Sequence, residues 1–341
     1  MKDFLFRSPT KVKFGTGTSF QLYEIFEEMG VKKPFVVTGK HVGKTDEFSK
    51  IIASLEEKGY SVQLFTDTQP DPPIDVCDAA AQVLKDSGCD VCVAVGGGSV
   101  IDTAKAMCML VTNEGSVKEY LFGGSKTVEN PSLPLIAVPT TAGSGSEVSA
   151  ASVITDEEND IKLSVSHEYL MPKFAIIDPL QQLHMPAFIT ATTGMDALTH
   201  AIESYVSLNA NPFSDAYGEM AIRLIGENIR TAVHDSMNLE AREKMAVAST
   251  LAGTAFVNGG LGAVHGISQA MGGVAHVAHG TANSMMLPYV IEKNIPVDTS
   301  KEMFLVIDRT RINDEKDTVS RIKDSVETAL YEGNGTCYID I

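Results

Sequence analysis

The sequence lacks the long apolar runs that mark membrane and secreted proteins. No stretch approaches the roughly 18 uninterrupted apolar residues of a membrane span, and charges interrupt the segment from Met1 to Phe14, where a signal peptide needs a continuous apolar core. Only five cysteines occur, and they form no disulfide framework, which suits a reducing compartment. These observations predict a cytoplasmic protein that has no membrane partner.

Positive charge is also scarce. The chain has 27 lysines and arginines against 44 aspartates and glutamates, which gives a formal net charge of −17. Such a chain repels a phosphate backbone or an anionic membrane at long range. We therefore expect no nucleic-acid partner.

The repeated cysteine pairs of a zinc ribbon are missing as well. Cys89 and Cys92 form one C-x-x-C, but no second pair completes a zinc site. Val91, Val93 and Val95 alternate through the same segment, which is typical of a buried strand. A strand is the better interpretation of this segment.

The chain does contain enough apolar sequence for two domains. Its 341 residues are 44% hydrophobic and 21% charged, as in globular proteins. The first half alternates short β-rich runs with helical patterns, which predicts parallel β-α-β units. The predicted strands are 35–38, 62–65, 91–95 and 135–138, and the predicted helices are 47–58, 75–87 and 103–111.

From about Pro186 onwards the strand signals fade. Ala, Met, Leu and Gly dominate this half, and Asp178-Pro179 and Met185-Pro186 punctuate the chain before it. We predict an α/β dinucleotide-binding domain with a parallel sheet over residues 1–184, followed by an all-α helical bundle over residues 185–341. The predicted helices of the bundle include 196–207, 215–228, 239–255 and 262–271.

A glycine-rich turn follows the predicted strand 91–95. Gly97, Gly98 and Ser99 would let backbone N–H groups approach a phosphate, and the helix N-terminus behind them would add about half a positive charge. The common G-x-G-x-x-G fingerprint is absent, and a tight turn with Ser99 as an N-cap is the alternative. The position between a strand and a helix favours a phosphate site.

A second loop, residues 139–147, concentrates glycines and hydroxyl groups after the strand 135–138. Loops that follow parallel strands lie at the carboxyl edge of the sheet, where open α/β sheets bind their ligands. Ordinary turns use the same residue types. Two such loops after parallel strands nevertheless favour a shared binding site.

Four potential metal ligands occur in the second half of the chain. Asp196 and His200 are four residues apart, so a helix would bring both to one face, and Glu203 falls on that face too, where it supports the site or meets solvent. His265 and His279 each lie beside a glycine in a segment with little other charge. Imidazoles and a carboxylate suit Fe²⁺ or Zn²⁺. By spacing alone, ordinary core or surface positions explain these residues equally well.

Long motifs resemble the iron-containing (group III) alcohol dehydrogenase family, which includes lactaldehyde reductase and the 1,3-propanediol and butanol dehydrogenases. The resemblance runs from near Lys11 to about Asn294. It rests on GGGSVIDTAKA at 96–106, PTTAGSGSEVS at 139–149, TTGMDALTHAIESY at 192–205, HGISQAMGG at 265–273 and HVAHGTANSMMLP at 276–288.

The resemblance implies a fold and a reaction. Family members have an N-terminal α/β cofactor domain and a C-terminal helical domain with the site in the cleft between them, and many pair as dimers through an N-terminal strand. The implied enzyme transfers a hydride between NAD(P) and a short primary alcohol or diol, or its aldehyde. A divalent metal, with Fe²⁺ expected and Zn²⁺ the other candidate, would polarise the substrate oxygen. A homodimer or a higher homo-oligomer is expected.

The resemblance also implies roles for individual residues. The metal ligands would be Asp196, His200, His265 and His279. The cofactor-binding residues would be Gly97, Gly98 and Ser99 on the pyrophosphate loop, Asp102 behind it, Thr140, Thr141 and Ser144 on the nicotinamide-side loop, and Val153 and Lys162.

Gly39 and Lys40 bear on the choice of cofactor. Family members that use NAD carry an aspartate where this chain has Gly39, and that carboxylate would accept the ribose 2′-OH and repel a 2′-phosphate. Gly39 removes the repulsion and Lys40 offers a cation, so we predict that NADP(H) is preferred over NAD(H). In the alternative interpretation, Lys40 is a solvated loop residue and the protein binds both cofactors.

The proton path departs from the family pattern. Many members have a histidine four residues after the third ligand, where this chain has Gln269, which cannot relay a proton. His276 lies three residues before a ligand and is the candidate catalytic replacement. A histidine on the helix surface is the alternative interpretation.

The C-terminal segment departs from the pattern too. The resemblance fades beyond Ile295, and residues 308–341 suggest a charged helix and a tail, so the helical domain is expected to be shortened.

Two other functions stay open. The first is a glycerol dehydrogenase-like polyol dehydrogenase, which the complete Asp-His-His-His set disfavours. The second is a catalytically impaired metal- and nucleotide-binding homologue.

Overall fold

A six-stranded parallel sheet forms the first part of the fold. The structure is a computed structural model that describes residues 3–293, with side chains up to Ile291. The strands are β1 (Lys11–Phe14), β2 (Pro34–Gly39), β3 (Gln63–Thr68), β4 (Val91–Gly96), β5 (Leu135–Pro139), β6 (Ala151–Asp156), β7 (Ile161–Ser166) and β8 (Phe174–Ile177). The large sheet has the order β1-β8-β5-β4-β2-β3 with every pairing parallel. The predicted α/β class is confirmed.

Helices cover both faces of this sheet because its strands are apolar on both sides. The helices are α1 (Leu22–Met29), α2 (Asp46–Glu57), α3 (Ile74–Ser87) and α4 (Gly98–Thr112). Val91, Val93 and Val95 of β4 pack with α1 and α2, whereas Cys92 and Ala94 face the core beneath α3 and α4. Cys92 is completely buried, as expected for a strand residue. This packing places the loops after β4 and β5 together at the carboxyl edge of the sheet.

Helices make up the rest of the described chain. They are α5 (Ala187–Val206), α6 (Pro212–His234), α7 (Leu239–Gly259), α8 (Ala263–Ala275) and α9 (His279–Lys293). Helices α5, α6 and α7 pack against one another around small residues such as Ala197, Ala201 and Ala252. The predicted succession of an α/β part and a helical part is confirmed.

Arg242 of α7 fixes the start of α5. Its side chain is completely buried, and it donates hydrogen bonds to Thr190 Oγ1 at 2.9 Å and to the carbonyl oxygens of Met185 at 3.2 Å and Ser236 at 3.0 Å. A buried guanidinium needs such acceptors because its charge has been removed from water. Arg242 therefore locks the helix that carries Asp196 and His200.

Several elements differ from the sequence prediction. The antiparallel pair β6–β7 and the strands β1 and β8 were not predicted, and α4 begins at Gly98, five residues before the predicted start at Thr103. Helix α5 begins at Ala187, because Pro186 ends the preceding turn and the pattern continues upstream of Asp196. The start of α4 matters most, since it brings the glycine loop directly onto a helix N-terminus.

Two predictions on domain organisation stay predictions. The described sheet and helices lie within one compact unit that extends to Ile291, and the division at residue 184 stays a prediction. The charged helix and tail at 308–341, and the shortened bundle, lie outside the described residues.

No single helix in residues 3–293 is both long enough and apolar enough to cross a membrane. The bent pair α7 and α8, which meet at 105°, passes the same test only when the two are taken together.

Candidate active site

The four predicted metal ligands lie close together where three helices meet. Asp196 and His200 are one turn apart on α5, His265 lies in the first turn of α8, and His279 begins α9. Asp196 Oδ1 lies 3.6 Å from Nε2 of His265, 3.6 Å from Nε2 of His279 and 3.9 Å from Nε2 of His200. Asp196, His265 and His279 each offer an atom within 4.8 Å of the others. The sequence spacing alone did not place α8 and α9 here.

Burial and mutual proximity set the charges of this cluster. Burial lowers the pKa of His200 to about 3, so its imidazole is neutral. Burial alone would raise the pKa of the Asp196 carboxyl, but the three histidines together hold it well below its usual range. Burial opposes protonation of His265, yet Asp196 and Glu203 raise its pKa to about 9. The two carboxylates therefore favour a positive charge at His265, whereas burial disfavours one at His200.

Glu203 connects the cluster to the backbone of α8. It is 4% exposed, its Oε2 lies 2.5 Å from His265 Nδ1, and its Oε1 accepts a hydrogen bond from the Val264 N–H at 2.7 Å. This contact directs Nε2 of His265 towards Asp196, which is the arrangement that carboxylates impose on metal-ligating histidines. The sequence left Glu203 open between support and solvent, and the structure shows it buried against His265.

Asn283, one turn after His279 on α9, was missed by the sequence analysis. Its Nδ2 lies 2.6 Å from Asp196 Oδ1 and 3.3 Å from Nε2 of both His265 and His279. Asn283 is completely buried, and its Oδ1 has no hydrogen-bond partner among the described residues. Asp196 Oδ1 and the Nε2 atoms of His265 and His279 thus surround one polar point, where Asn283 Nδ2 lies. A carboxylate and imidazoles are the donor set that suits a divalent cation of the Fe²⁺ or Zn²⁺ type. The i, i+4 spacing from His279 was the available signal for Asn283.

The loop after β5 reaches the metal-ligand cluster through Gly143. The Gly143 carbonyl oxygen lies 3.3 Å from His200 Nδ1, and the His200 ring stacks on Phe256 of α7 with centroids 4.5 Å apart. A Cβ added at Gly143 would lie 2.6 Å from Thr193 Cβ on α5, so only glycine permits this approach. His200 therefore contacts the predicted nicotinamide-side loop directly.

The two glycine-containing loops pack against each other at the N-terminus of α4. A Cβ added at Gly97 would lie 3.2 Å from Thr141 Cγ2, and one added at Gly98 would lie 3.0 Å from Ser144. Gly97 is the N-cap of α4, and no side chain caps this helix end within the described residues. Its first N–H groups, beside the two loops, therefore have no side-chain acceptor in this part of the chain. The two loops and this helix end form a cradle with the backbone N–H donors that a pyrophosphate requires.

Asp102 does not face this cradle with a free carboxylate. Its Oδ1 accepts a hydrogen bond from Ser146 Oγ at 2.5 Å, and its Oδ2 accepts one from the Val153 N–H at 3.0 Å. Asp102 thus joins α4 to the second loop and to β6. Val153 enters the network through its backbone, and Thr140 is buried at the end of β5.

Gly39 ends β2 at the side of the cradle. A Cβ added there would lie 3.5 Å from Thr68 Oγ1 and 3.8 Å from Val100 Cγ2, which are ordinary contacts, so a side chain fits. Lys40 Nζ lies 3.4 Å from Asp67 Oδ1, and both side chains are about 70% exposed. Lys40 therefore has an acidic neighbour that the sequence analysis did not anticipate.

Lys162 of β7 points back to the phosphate loop. Its Nζ lies 2.6 Å from Asp71 Oδ1, and the Asp71 N–H donates to Ser99 Oγ at 3.3 Å. Asp71 carried no sequence signal, because the contact depends on the unpredicted hairpin β6–β7.

His276 and Gln269 occupy α8. His276 is the C-cap of this helix, with φ +51° and an exposed side chain, and Gln269 is half-buried. None of the hydrogen bonds within residues 3–293 joins the His276 side chain to the metal-ligand cluster. The predicted proton-relay role of His276 stays a prediction.

Two regions of the chain match known protein families. Residues 9–179 match iron-containing alcohol dehydrogenase, and residues 190–332 match the C-terminal region of the Fe-containing alcohol dehydrogenase family.

Individual relatives agree with these matches. The chain is 41% identical to long-chain-alcohol dehydrogenase 1 of Geobacillus thermodenitrificans over 81% of this chain and 70% of that protein. It is also 41% identical to 1,3-propanediol dehydrogenase of Klebsiella pneumoniae, over 84% of this chain and 74% of that protein. A crystal structure of 1,3-propanediol oxidoreductase superimposes with a TM-score of 0.82 at 40% identity and covers 86% of this chain and 76% of that one.

Proposed function

The chain belongs to the iron-containing alcohol dehydrogenase family, and from that premise we propose which residues carry its reaction and which nicotinamide cofactor it prefers. It is an alcohol and aldehyde oxidoreductase, as the sequence predicted, with a divalent metal, a nicotinamide cofactor and a small-molecule alcohol or aldehyde as substrate. The residue roles, the metal and the form of the cofactor are proposals.

Asp196, His200, His265 and His279 hold the divalent metal in this proposal. The observation that carries it is the convergence of these side chains on Asp196 Oδ1, which lies 3.6–3.9 Å from three imidazole nitrogens. A bound Fe²⁺ or Zn²⁺ supplies Lewis-acid polarisation of the substrate oxygen. The protein residues keep the ligand atoms in place and exclude water, since three of the four ligands are at most 5% exposed.

Gly97, Gly98 and Ser99 hold the pyrophosphate at the N-terminus of α4. Thr140, Thr141 and Ser144 line the nicotinamide side of the same cradle, and the bound nicotinamide supplies or takes the hydride. The contact between Gly143 and His200 brings this loop beside the metal ligands. The substrate carbon and the nicotinamide are thereby held in line between the two parts of the site.

NADP(H) is the preferred cofactor in this proposal, because Gly39 presents no carboxylate to a 2′-phosphate and Lys40 lies next to it. The space at Gly39 accepts the Cβ that an aspartate would add. Gly39→Asp is expected to shift the ratio of kcat/KM for NADPH over NADH towards NADH by on the order of tenfold or more. Lys40→Met tests the cation separately and should lower only the NADPH value.

The deciding experiment measures aldehyde reduction with NADPH and with NADH over a panel of short aldehydes, in iron-loaded, zinc-loaded and metal-free protein. Activity is expected only in the metal-loaded forms, with NADPH ahead. Full activity without metal would refute the ligand assignment, and a clear NADH preference would refute the role of Gly39. Cofactor binding without turnover across the panel would instead support a non-catalytic homologue.

A homodimer is the proposed assembly. Strand β1 is the edge of the large sheet and pairs only with β8 in the described part of the chain, and its residues Val12 and Phe14 are about half exposed. Sedimentation of the purified protein should give twice the chain mass.

His276 is proposed as proton relay, and His276→Gln should then alter the pH dependence of kcat.

A further inference from the structure

Asp71 occupies an unusual backbone position beside the phosphate loop. It has φ +48°, a conformation that L-residues other than glycine, asparagine and aspartate rarely adopt, and it lies between Pro70 and Pro72. Its N–H donates to Ser99 Oγ at 3.3 Å. The restricted segment therefore holds an acidic side chain at the mouth of a loop that is built for an anion.

The partner of this carboxylate is a lysine of the hairpin β6–β7. Lys162 Nζ lies 2.6 Å from Asp71 Oδ1, and the side chain of Lys162 is 7% exposed whereas that of Asp71 is 56% exposed. Helix α8 packs on the lysine so closely that a Cβ added at Gly272 would lie 3.1 Å from Nζ. Lys162 is thus held by its surroundings, and the exposed Asp71 lies on its solvent side.

We propose that Asp71 weakens and thereby tunes the binding of the anionic dinucleotide, by neutralising Lys162 and by repelling the pyrophosphate. This inference rests on the proposed cofactor site. A lysine beside a phosphate loop strengthens anion binding, and a carboxylate 2.6 Å from that lysine cancels most of its field at the loop. Removal of the negative charge should therefore tighten the complex.

Asp71→Asn is the appropriate variant because asparagine has the same shape and accepts the same left-handed backbone. The dissociation constants of NADPH and NADH are measured by fluorescence titration of the metal-loaded protein at low and high salt. At low salt the variant should bind both cofactors about two- to fivefold more tightly, the range expected of a partly exposed charge pair. The gain should shrink at high salt, because salt screens exposed charges.

Two further variants separate this role from a general change in charge. Asp160→Asn is the matched control, since Asp160 is also an exposed aspartate with a left-handed backbone, at φ +53° in the turn between β6 and β7. It should leave both dissociation constants unchanged. In a Lys162→Met background, the gain from Asp71→Asn should be smaller than in the wild-type protein, because one of its two causes is gone.

Weaker or unchanged cofactor binding by Asp71→Asn would overturn the inference, and weaker binding would indicate that the carboxylate accepts a ribose hydroxyl. An equal gain in Asp160→Asn would also overturn it, since net charge alone would then explain the effect. If the wild-type protein binds neither dinucleotide, the proposed cofactor site itself is wrong. Thermal unfolding of each variant shows whether its fold is intact.

Discussion

At the scale of single residues, Glu203 orients the proposed metal ligand His265 and sets its tautomer. An imidazole has two nitrogens, and the one that faces the metal must be unprotonated. The carboxylate of Glu203, 2.5 Å from His265 Nδ1, would keep the proton on Nδ1 when a metal ion displaces the proton from Nε2. This contact is what stabilises the tautomer of His265 that has its proton on Nδ1.

Glu203→Gln should lower the affinity for Fe²⁺ or Zn²⁺ by about 10- to 100-fold, as for other partners of ligating histidines. The neutral amide can no longer stabilise the required tautomer, and it meets the Val264 N–H less favourably. Competition with a coloured chelator measures the affinity without reference to activity. Glu219→Gln on the exposed side of α6 is the matched control, and equal affinities for the two variants would contradict the assigned role.

At the scale of elements, Lys105 joins α4 to the segment that follows β5. Its side chain is completely buried, and Nζ donates to Ser146 Oγ at 2.9 Å, Ser149 Oγ at 3.0 Å and the Ala151 carbonyl oxygen at 2.7 Å. The helix that carries the phosphate loop and the loop that carries Gly143 are thus held by one ammonium group. Its position accounts for the close packing of the two loops.

Lys105 should make stability depend on pH in the alkaline range. Burial lowers its pKa from 10.5 to about 8, although Asp102 and Glu147 oppose the shift. Between these two values the unfolded chain binds the proton and the folded chain releases it, so the free energy of unfolding should rise with pH. Below pH 8 the cost of the buried charge is fully present.

Lys105→Met should remove this contribution. The difference in unfolding free energy between wild type and variant, from urea unfolding at several pH values, should change between pH 8 and 10.5 and be flat below pH 8. Lys85→Met on the exposed side of α3 provides the comparison for loss of an ordinary lysine. A constant difference across the whole range would show that the ammonium keeps its usual pKa in the folded protein.

At the scale of the whole molecule, the metal-ligand cluster connects α5 to α8 and α9, which lie far from it in the sequence. Its residues come from α5, α8 and α9, and His200 extends it through Gly143 to the loop after β5. A ligand that binds only the folded chain stabilises it in proportion to the logarithm of its concentration. The ion is therefore expected to stabilise the whole described unit as well as to serve the reaction.

Metal loading should raise the Tm, with a stabilisation of about 2.7 kcal/mol at a free metal concentration 100 times the dissociation constant. Scanning calorimetry of chelator-treated and reloaded protein measures the shift. The same comparison on Asp196→Ala should show little or none, because the carboxylate common to every pair in the cluster is gone. An equal rise in both proteins would place the stabilising ion elsewhere.

Much of this arrangement could be predicted from local patterns. Alternating valines predicted β4, and the glycines after it predicted a phosphate loop, because both depend on short-range geometry. The hairpin β6–β7 was not predicted, although Ile161, Leu163 and Val165 alternate with polar residues in the way that is typical of a half-buried strand. Asp71 and Asp67 were not predicted as site residues, because each is placed by a contact with a lysine that is distant in sequence.

The sequence by itself determined the class of the fold, the family and the candidate ligands, because hydrophobic period, turn residues and long motifs are properties of contiguous chain. The tertiary structure alone decided that Glu203 and Asn283 face the ligands, that the Asp102 carboxylate is taken up by Ser146 and Val153, and that Lys162 is paired with Asp71. These contacts join residues far apart in sequence, and only the packing of helices and loops brings their polar atoms within a few ångströms.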